Sequence, residues 1–329
     1  MSQVSNNIRF YETGGPEVLK YEQLEVPPPG PGQVQIRQHA VGLNFIDVYF
    51  RSGVYKAPSL PSGLGQEAAG VVVAVGTGVS HVRVGDRVAY GQSPLGAYAS
   101  LRNTTAEFVV KLPKFMSFED GAAFLVKGLT VQYLFRQTYR LQGDETILFH
   151  AAAGGVGLVA CQWARALGVK LIGTVGSDEK AALAKSHGAW ATINYSRENI
   201  TERVLELTGG KKLPVVYDSV GKDTWLASLD CLQPRGLMVS FGNASGPVTG
   251  VDLGILAAKG SLYVTRPSVA HHVTPYARLE ASAQEMFDLV KRKKIKIDIG
   301  QRHALKDAAQ AHIDLVSRKT TGATVLLPD

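Results

Sequence analysis

The residues best suited to chemistry lie at 147–160: Ile147-Leu148-Phe149-His150-Ala151-Ala152-Ala153-Gly154-Gly155-Val156-Gly157-Leu158-Val159-Ala160. A short apolar run passes through small residues into a helix-period pattern. Ala152, Gly154 and Gly157 hold the three small-residue positions of G-x-G-x-x-G, with alanine in the first. The first position makes a tight turn, the second lets backbone approach a pyrophosphate, and the third lets helix pack on strand. The diphosphate then lies at a helix N-terminus, where unpaired N–H groups and the dipole favour negative charge. The spacing alone is a weak signal, and its surroundings decide it.

The next strand bears on which dinucleotide is bound. NAD-binding sheets place Asp or Glu about 20 residues after the fingerprint, on the ribose 2′-hydroxyl. Here the strand tip reads Gly173-Thr174-Val175-Gly176-Ser177, without a carboxylate, and Lys180 follows one helical turn later. Asp178 and Glu179 argue the other way unless they are first-turn acids facing away. Tyr195, closing the third strand, is placed to stack or hydrogen-bond nearby. A 2′-phosphate, and so NADPH, is the better fit.

The surroundings supply the elements that must hold these residues. Strands at Lys170–Val175, Thr192–Tyr195, Val215–Ser219, Leu237–Phe241 and Ser261–Thr265 alternate with helical stretches such as 178–187, which predicts a Rossmann-type doubly wound parallel sheet. Upstream, the rigid connector Val26–Gly32 and short strands at Gln33–Arg37, Ala68–Gly76, Gly85–Val88, Ala97–Ser100 and Glu107–Val110 predict a β-rich, barrel-like domain. Helices are expected at 119–124 and 129–140, then at 275–292 and 305–317, with a last strand at Ala323–Leu327. The expected division is 1–126, completed by 268–329, and 127–267 for the dinucleotide-binding domain.

Composition sets outer bounds. The 329 residues are 45% hydrophobic and 19% charged, an ordinary globular balance with room for two cores. No apolar run approaches a membrane span, and the first seven residues lack signal-peptide features, so neither membrane insertion nor export is expected. Cys161 and Cys231 cannot build a disulfide framework, which suits the cytoplasm. The net charge of +7 is modest. Its densest patch, Lys291-Arg292-Lys293-Lys294, reads as a solvated helix end, and basic residues are not interleaved with aromatics as nucleic-acid binding would favour.

The order of β-rich domain, fingerprint domain and return segment resembles the medium-chain dehydrogenase/reductase superfamily. Within it, the chain is similar to the zinc-free, ζ-crystallin-like quinone oxidoreductases, and among these to the bacterial NADPH:quinone reductases. The resemblance runs along Gly14–Leu19, Asn44–Asp47, Tyr49, Arg51–Gly53, Lys127–Thr130, His150–Gly157 and Val264–Pro267. It implies a GroES-like catalytic domain beside the Rossmann domain.

Zinc-dependent members carry Cys in G-x-C-x-x-D/H and His in G-H-E-x-x-G. This chain reads Gly42-Leu43-Asn44-Phe45-Ile46-Asp47 and Gly65-Gln66-Glu67-Ala68-Ala69-Gly70. Asn44 and Gln66 are carboxamides, poor zinc ligands beside thiolate and imidazole, so no metal is expected. A quinone is already electron-poor, so positioning and hydrogen bonding can replace a Lewis acid.

The resemblance implies NADPH-dependent reduction of quinones, by hydride or single-electron transfer, in a zinc-free interdomain cleft. The alternatives are reduction of α,β-unsaturated ketones or aldehydes and, in another class, a non-catalytic nucleotide-binding structural or RNA-binding protein. Tyr49, Tyr55, Asn44 and Lys127 are the catalytic candidates. The tyrosines read as pocket wall and weak donors, Asn44 as a cofactor contact or a helix cap, and Lys127 as an oxygen contact or a snorkelling amine. Cofactor contacts are expected from Asn44, Phe45, Ile46, Asp47, Thr130, Ala152, Gly154, Gly155, Val156, Gly157, Ser177, Lys180, Tyr195, Phe241, Gly242, Asn243, Val264, Arg266 and Arg318. His150 reads as a packed polar group. A homodimer through the edge strand Ser261–Thr265 completes the expectations.

Overall fold

Short runs punctuated by proline and glycine form the first strands: β1 (Gln3–Phe10), β2 (Lys20–Val26), β3 (Gln33–Leu43), β4 (Ser62–Gly63), β5 (Glu67–Val75), β6 (Arg87–Tyr90), β7 (Leu101–Thr105) and β8 (Val109–Lys111). Apolar runs then alternate with helices as β9 (Thr146–Phe149), β10 (Lys170–Val175), β11 (Ala191–Asn194), β12 (Leu213–Asp218), β13 (Leu232–Ser240) and β14 (Tyr263–Thr265). Strands β15 (Ile299–Ala304) and β16 (Ala323–Leu327) close the chain. The computed structural model describes residues 2–92 and 94–328. It divides into one unit of Met1–Leu129, Val273–Lys291 and Ile297–Asp329, and a second of Thr130–His272 and Arg292–Lys296.

In the first unit, a seven-stranded sheet runs β15-β16-β3-β5-β6-β8 with β7 also paired to β3. Strand β16 lies antiparallel to the end of β3, with Thr324 opposite Leu43 and Val325 opposite Gly42. The return segment thus braces the strand that delivers Asn44. Ile8, Phe10, Val34, Ile36, Leu43, Val72, Tyr90, Leu305 and Leu326 belong to one buried cluster. Helix α1 (Phe45–Ser52) starts after Asn44 and ends at Gly53 in the left-handed conformation.

The second unit holds six parallel strands in the order β11-β10-β9-β12-β13-β14. Relative to their sequence order this is 3-2-1-4-5-6, whose direction reverses at β9, and ligands of such sheets bind beyond the strand C-termini there. Strands buried on both faces read as continuous apolar runs, which is why these were legible. Among the described residues, no helix is long and apolar enough to cross a membrane.

Several expectations need correction. Residues 97–100 form no strand; Ala99 makes one isolated bridge to Asn7. The two helices expected at 119–124 and 129–140 are one helix, α2 (Phe118–Tyr133), followed by a π-turn at Leu134–Thr138. Residues 121–129 are all buried, so packing overrides the local break at Lys127-Gly128. Strands β1, β2, β4, β7 and β15 had no place in the sequence reading.

Candidate active site

The fingerprint turn lies at the C-terminal end of β9. Helix α3 (Gly155–Leu167) begins after Gly154, an extended N-cap that gives no side-chain hydrogen bond. Backbone N–H groups therefore remain to receive an anion. A Cβ on Gly157 would meet the Ala151 carbonyl oxygen at 2.4 Å and Ala152 Cα at 2.6 Å, so close helix-to-strand approach requires glycine there. Ala151 sits at φ +57° and Ala152 N–H donates to Thr174 O at 3.0 Å, which ties the turn to β10.

Beneath the turn, His150 is fully buried. Its Nδ1 lies 3.0 Å from Thr174 Oγ1 and its Nε2 lies 2.9 Å from Ser228 Oγ. Ser228 donates onward to Asp218 Oδ2 at 2.7 Å. Burial pushes the imidazole pKa down against the pull of Asp218. The structure makes His150 a packed polar brace, as its setting implied.

At the tip of β10, Ser177 caps helix α4 (Asp178–Ser186), its side chain accepting from Lys180 N–H at 3.3 Å. The Asp178 carboxylate accepts from Arg197 at 2.8 Å and from Asn194 Nδ2 at 3.0 Å. That acid is drawn towards the end of β11 and partly neutralised. Its guanidinium partner stands two residues beyond Tyr195, whose hydroxyl would lie 2.7 Å from a Cβ on Gly176. Ser177, Lys180, Tyr195 and Arg197 thus share one neighbourhood; sequence reasoning missed Arg197, which nothing marked as a partner of Asp178.

Past β13, Phe241 N–H donates to Asp218 O at 2.7 Å, and its ring packs 5.5 Å from Phe149. Arg266 donates to Ser240 O at 2.8 Å, and Asn243, with its carboxamide oxygen turned towards Arg266, accepts from it at 3.2 Å. Phe241, Gly242, Asn243 and Arg266 therefore gather beyond β13, with Val264 on neighbouring β14. Thr130, in α2, is half-buried within the second unit. Arg318 belongs to the first unit, in a left-handed turn at φ +60°.

The first unit supplies a different kind of site. Lys127, 5% exposed, donates from Nζ to Asn44 Oδ1 at 2.9 Å and pairs with Glu67 Oε2 at 3.3 Å. Asn44 Nδ2 donates to the same carboxylate oxygen at 2.7 Å. Glu67 Oε1 accepts Val126 N–H at 2.6 Å. Lys127 does not snorkel. Asn44 opens α1 by position, the capping role foreseen for it, and turns its side chain to the charged pair. Glu67 was quoted in the sequence motif but given no role, because its partners lie far along the chain.

Asp47, expected among the cofactor contacts, is turned into the first unit. It is fully buried, and Oδ2 accepts Asn44 N–H at 2.9 Å and Tyr98 OH at 3.0 Å. Burial pushes its carboxyl up to about 7. Tyr98 OH also lies 3.1 Å from His312 Nε2, whose imidazole burial pushes down to about 3. Phe45 and Ile46 remain half-buried on α1. Tyr49 packs against Phe45 of the same helix at 5.5 Å and edge-on to Tyr55, just beyond the helix end, at 5.1 Å, which makes an aromatic wall.

A dinucleotide fits the second unit: the uncapped helix, the glycine-only approach and the cationic strand tip suit diphosphate and 2′-phosphate. At the zinc-ligand position of the first unit, Asn44 is engaged by a lysine and a glutamate.

The chain matches the family model described as the alcohol dehydrogenase GroES-like domain over residues 30–114, and that described as zinc-binding dehydrogenase over 155–291. It is 62% identical to a quinone oxidoreductase of Pseudomonas aeruginosa, over 99% of this chain and 100% of that one. A solved structure of Escherichia coli quinone oxidoreductase complexed with NADPH superposes with a TM-score of 0.97 at 56% identity, covering 98% of this chain and 100% of that one. A 2-haloacrylate reductase of Burkholderia is more distant, 42% identical over 97% of this chain and 98% of that one. The chain belongs to the quinone oxidoreductase family of the medium-chain dehydrogenase/reductase superfamily.

Proposed function

We propose that the chain is an NADPH:quinone oxidoreductase of the subclass that couples nicotinamide donors to quinone acceptors. The observation that carries the reading is the buried Lys127 ammonium, held by Glu67 and Asn44 where metal-dependent relatives present zinc ligands. NADPH, when bound, supplies the reducing equivalents. The first turn of α3 holds the diphosphate, and Ser177, Lys180 and Arg197 receive the 2′-phosphate as charge-assisted donors. Lys127 donates to a carbonyl oxygen on which negative charge grows, and the Tyr49–Tyr55 wall packs the flat acceptor. Quinone is preferred over enone because the relatives at 56–62% identity are quinone oxidoreductases, whereas the haloacrylate reductase is more distant. The test is NADPH oxidation with 1,4-benzoquinone against a simple enone. Faster turnover of the enone would overturn the substrate assignment.

We place the enzyme in the cytoplasm, a reading supported by two buried free thiols, each pushed up to about 12 mainly by burial. We also infer a homodimer through β14. It lies at one end of the sheet order, with Tyr263 56% and Val264 40% exposed, and pairing would cover this edge. Light scattering should give twice the chain mass, and Val264→Lys should shift it towards one.

A further inference from the structure

We propose that Glu67 is a positioning residue of the reaction, setting the aim of Lys127 and standing as its counter-charge. The role rests on the proposed quinone reduction. Both oxygens of Glu67 are committed, Oε1 to Val126 N–H at 2.6 Å and Oε2 to Asn44 at 2.7 Å and Lys127 at 3.3 Å. This fixes the Asn44 carboxamide with its nitrogen towards glutamate and its oxygen towards lysine. The ammonium has three N–H bonds and, among the described residues, two acceptors. One donor is left for an incoming oxygen. The pair is 0% and 6% exposed at the side chains, so Glu67 supplies a counter-charge that water does not. Held between two acceptors, the ammonium keeps its remaining N–H in a fixed direction, as a preorganised donor to a developing oxyanion must.

The surrounding backbone is shaped for this carboxylate. A Cβ on Gly42 would stand 2.3 Å from Glu67 Oε2 and 2.2 Å from Ala122 O, so β3 passes it only as glycine. Glu67 is therefore reached from β3, β5 and α2 at once. Its effect on the reaction runs through Lys127 and not through contact with the acceptor.

The test is a double-mutant cycle on Glu67→Gln and Lys127→Met, reading kcat and KM with 1,4-benzoquinone, and NADPH Kd from nicotinamide fluorescence. Lys127→Met should lower kcat by ~100-fold, the scale of losing one oxyanion donor, and Glu67→Gln by ~10- to 100-fold. The double variant should fall within about threefold of Lys127→Met, because contacting residues couple. NADPH Kd should stay within about threefold in all three, since the diphosphate and 2′-phosphate sites are untouched. Multiplicative losses, or a Glu67→Gln kcat within about twofold of wild type, would overturn the role. Should Glu67→Gln not fold, Glu67→Asp keeps the charge and withdraws it by one methylene. It should lower kcat when Lys127 is present and change nothing beside Lys127→Met; a loss in both backgrounds would overturn the proposal. A wild-type chain inert with NADPH and quinone would overturn the functional reading as well, whereas multiplicative losses in an active chain would overturn the role of Glu67 alone.

Discussion

The two units treat polar groups in opposite ways. At the mouth of the fingerprint the work falls to main chain: Gly157 has no room for a Cβ, and the N-cap of α3 gives no side-chain hydrogen bond. Around Asn44 the work falls to side chains, and charge is taken inside: Glu67, Lys127 and Asp47 are all buried. The first arrangement is sensitive to volume and indifferent to charge, whereas the second is sensitive to charge and tolerant of matched volume. An anion that arrives with its own charge needs only N–H groups. An acceptor that becomes charged during reaction needs a counter-charge already waiting.

The largest expected effect breaks the second arrangement. Lys127→Met conserves volume and removes charge, leaving Glu67 buried with Asn44 and Val126. Removing one partner of a buried pair costs about 3–5 kcal/mol, and adding Glu67→Gln should recover most of it. Urea unfolding of the two variants checks this; a double variant no more stable than Lys127→Met would mean that the charges do not depend on each other.

The next effect uses the Asp47–Tyr98–His312 chain, whose two ends titrate with opposite sign. The Asp47 carboxyl is raised to about 7, so its stabilisation is present below about 4 and is lost as pH rises towards 7. The His312 imidazole is depressed to about 3, so its stabilisation is present above about 6.5 and is lost as pH falls towards 3. Between about pH 4 and 6.5 the two slopes oppose. Relative to wild type, Asp47→Asn should gain stability with rising pH across that window, and His312→Gln should lose it, each by on the order of a few kcal/mol. Parallel pH profiles for all three chains would refute the linkage.

Volume in the turn comes third. Gly157→Ala adds one methyl against the Ala151 carbonyl and should cost about 1–3 kcal/mol while weakening NADPH, with no change in its pH dependence. Calorimetry with and without NADPH separates the two losses, and an unshifted melting temperature would show that the turn has slack. Smallest is the strand tip. Lys180→Ala should weaken NADPH by roughly ten- to a hundred-fold and leave NADH nearly unchanged, from the loss of one charge-assisted contact. Equal loss for both cofactors would assign Lys180 to the fold or the diphosphate.

The contrast also explains what the sequence revealed. The fingerprint unit is local: strand, turn and helix are contiguous, so β9 to β13 and the small-residue positions could be read in order. The charged cluster is not. Glu67 and Lys127 stand 60 residues apart, Asn44 and Lys127 83, and Tyr98 and His312 214, so no spacing rule joins them. Asp47 stood among the expected cofactor contacts because nothing local announces Tyr98 behind it. Strand β1, Gln-Val-Ser-Asn-Asn-Ile-Arg-Phe, was hidden by its polar centre, although Ser5, Ile8 and Phe10 are buried. Asp178 looked adverse to a 2′-phosphate until Arg197, nineteen residues on, accounted for its carboxylate.

On the proposed reading, the Asn44–Glu67–Lys127 cluster serves quinone reduction with NADPH without a metal. The most direct measurement is the steady-state rate of NADPH oxidation with and without 1,4-benzoquinone, in wild type and Lys127→Met, before and after exhaustive chelation. Wild type should oxidise NADPH in a quinone-dependent way that chelation leaves intact, and Lys127→Met should lower that rate by ~100-fold. Activity lost on chelation and restored by Zn²⁺, or a Lys127→Met enzyme as fast as wild type, would contradict that reading.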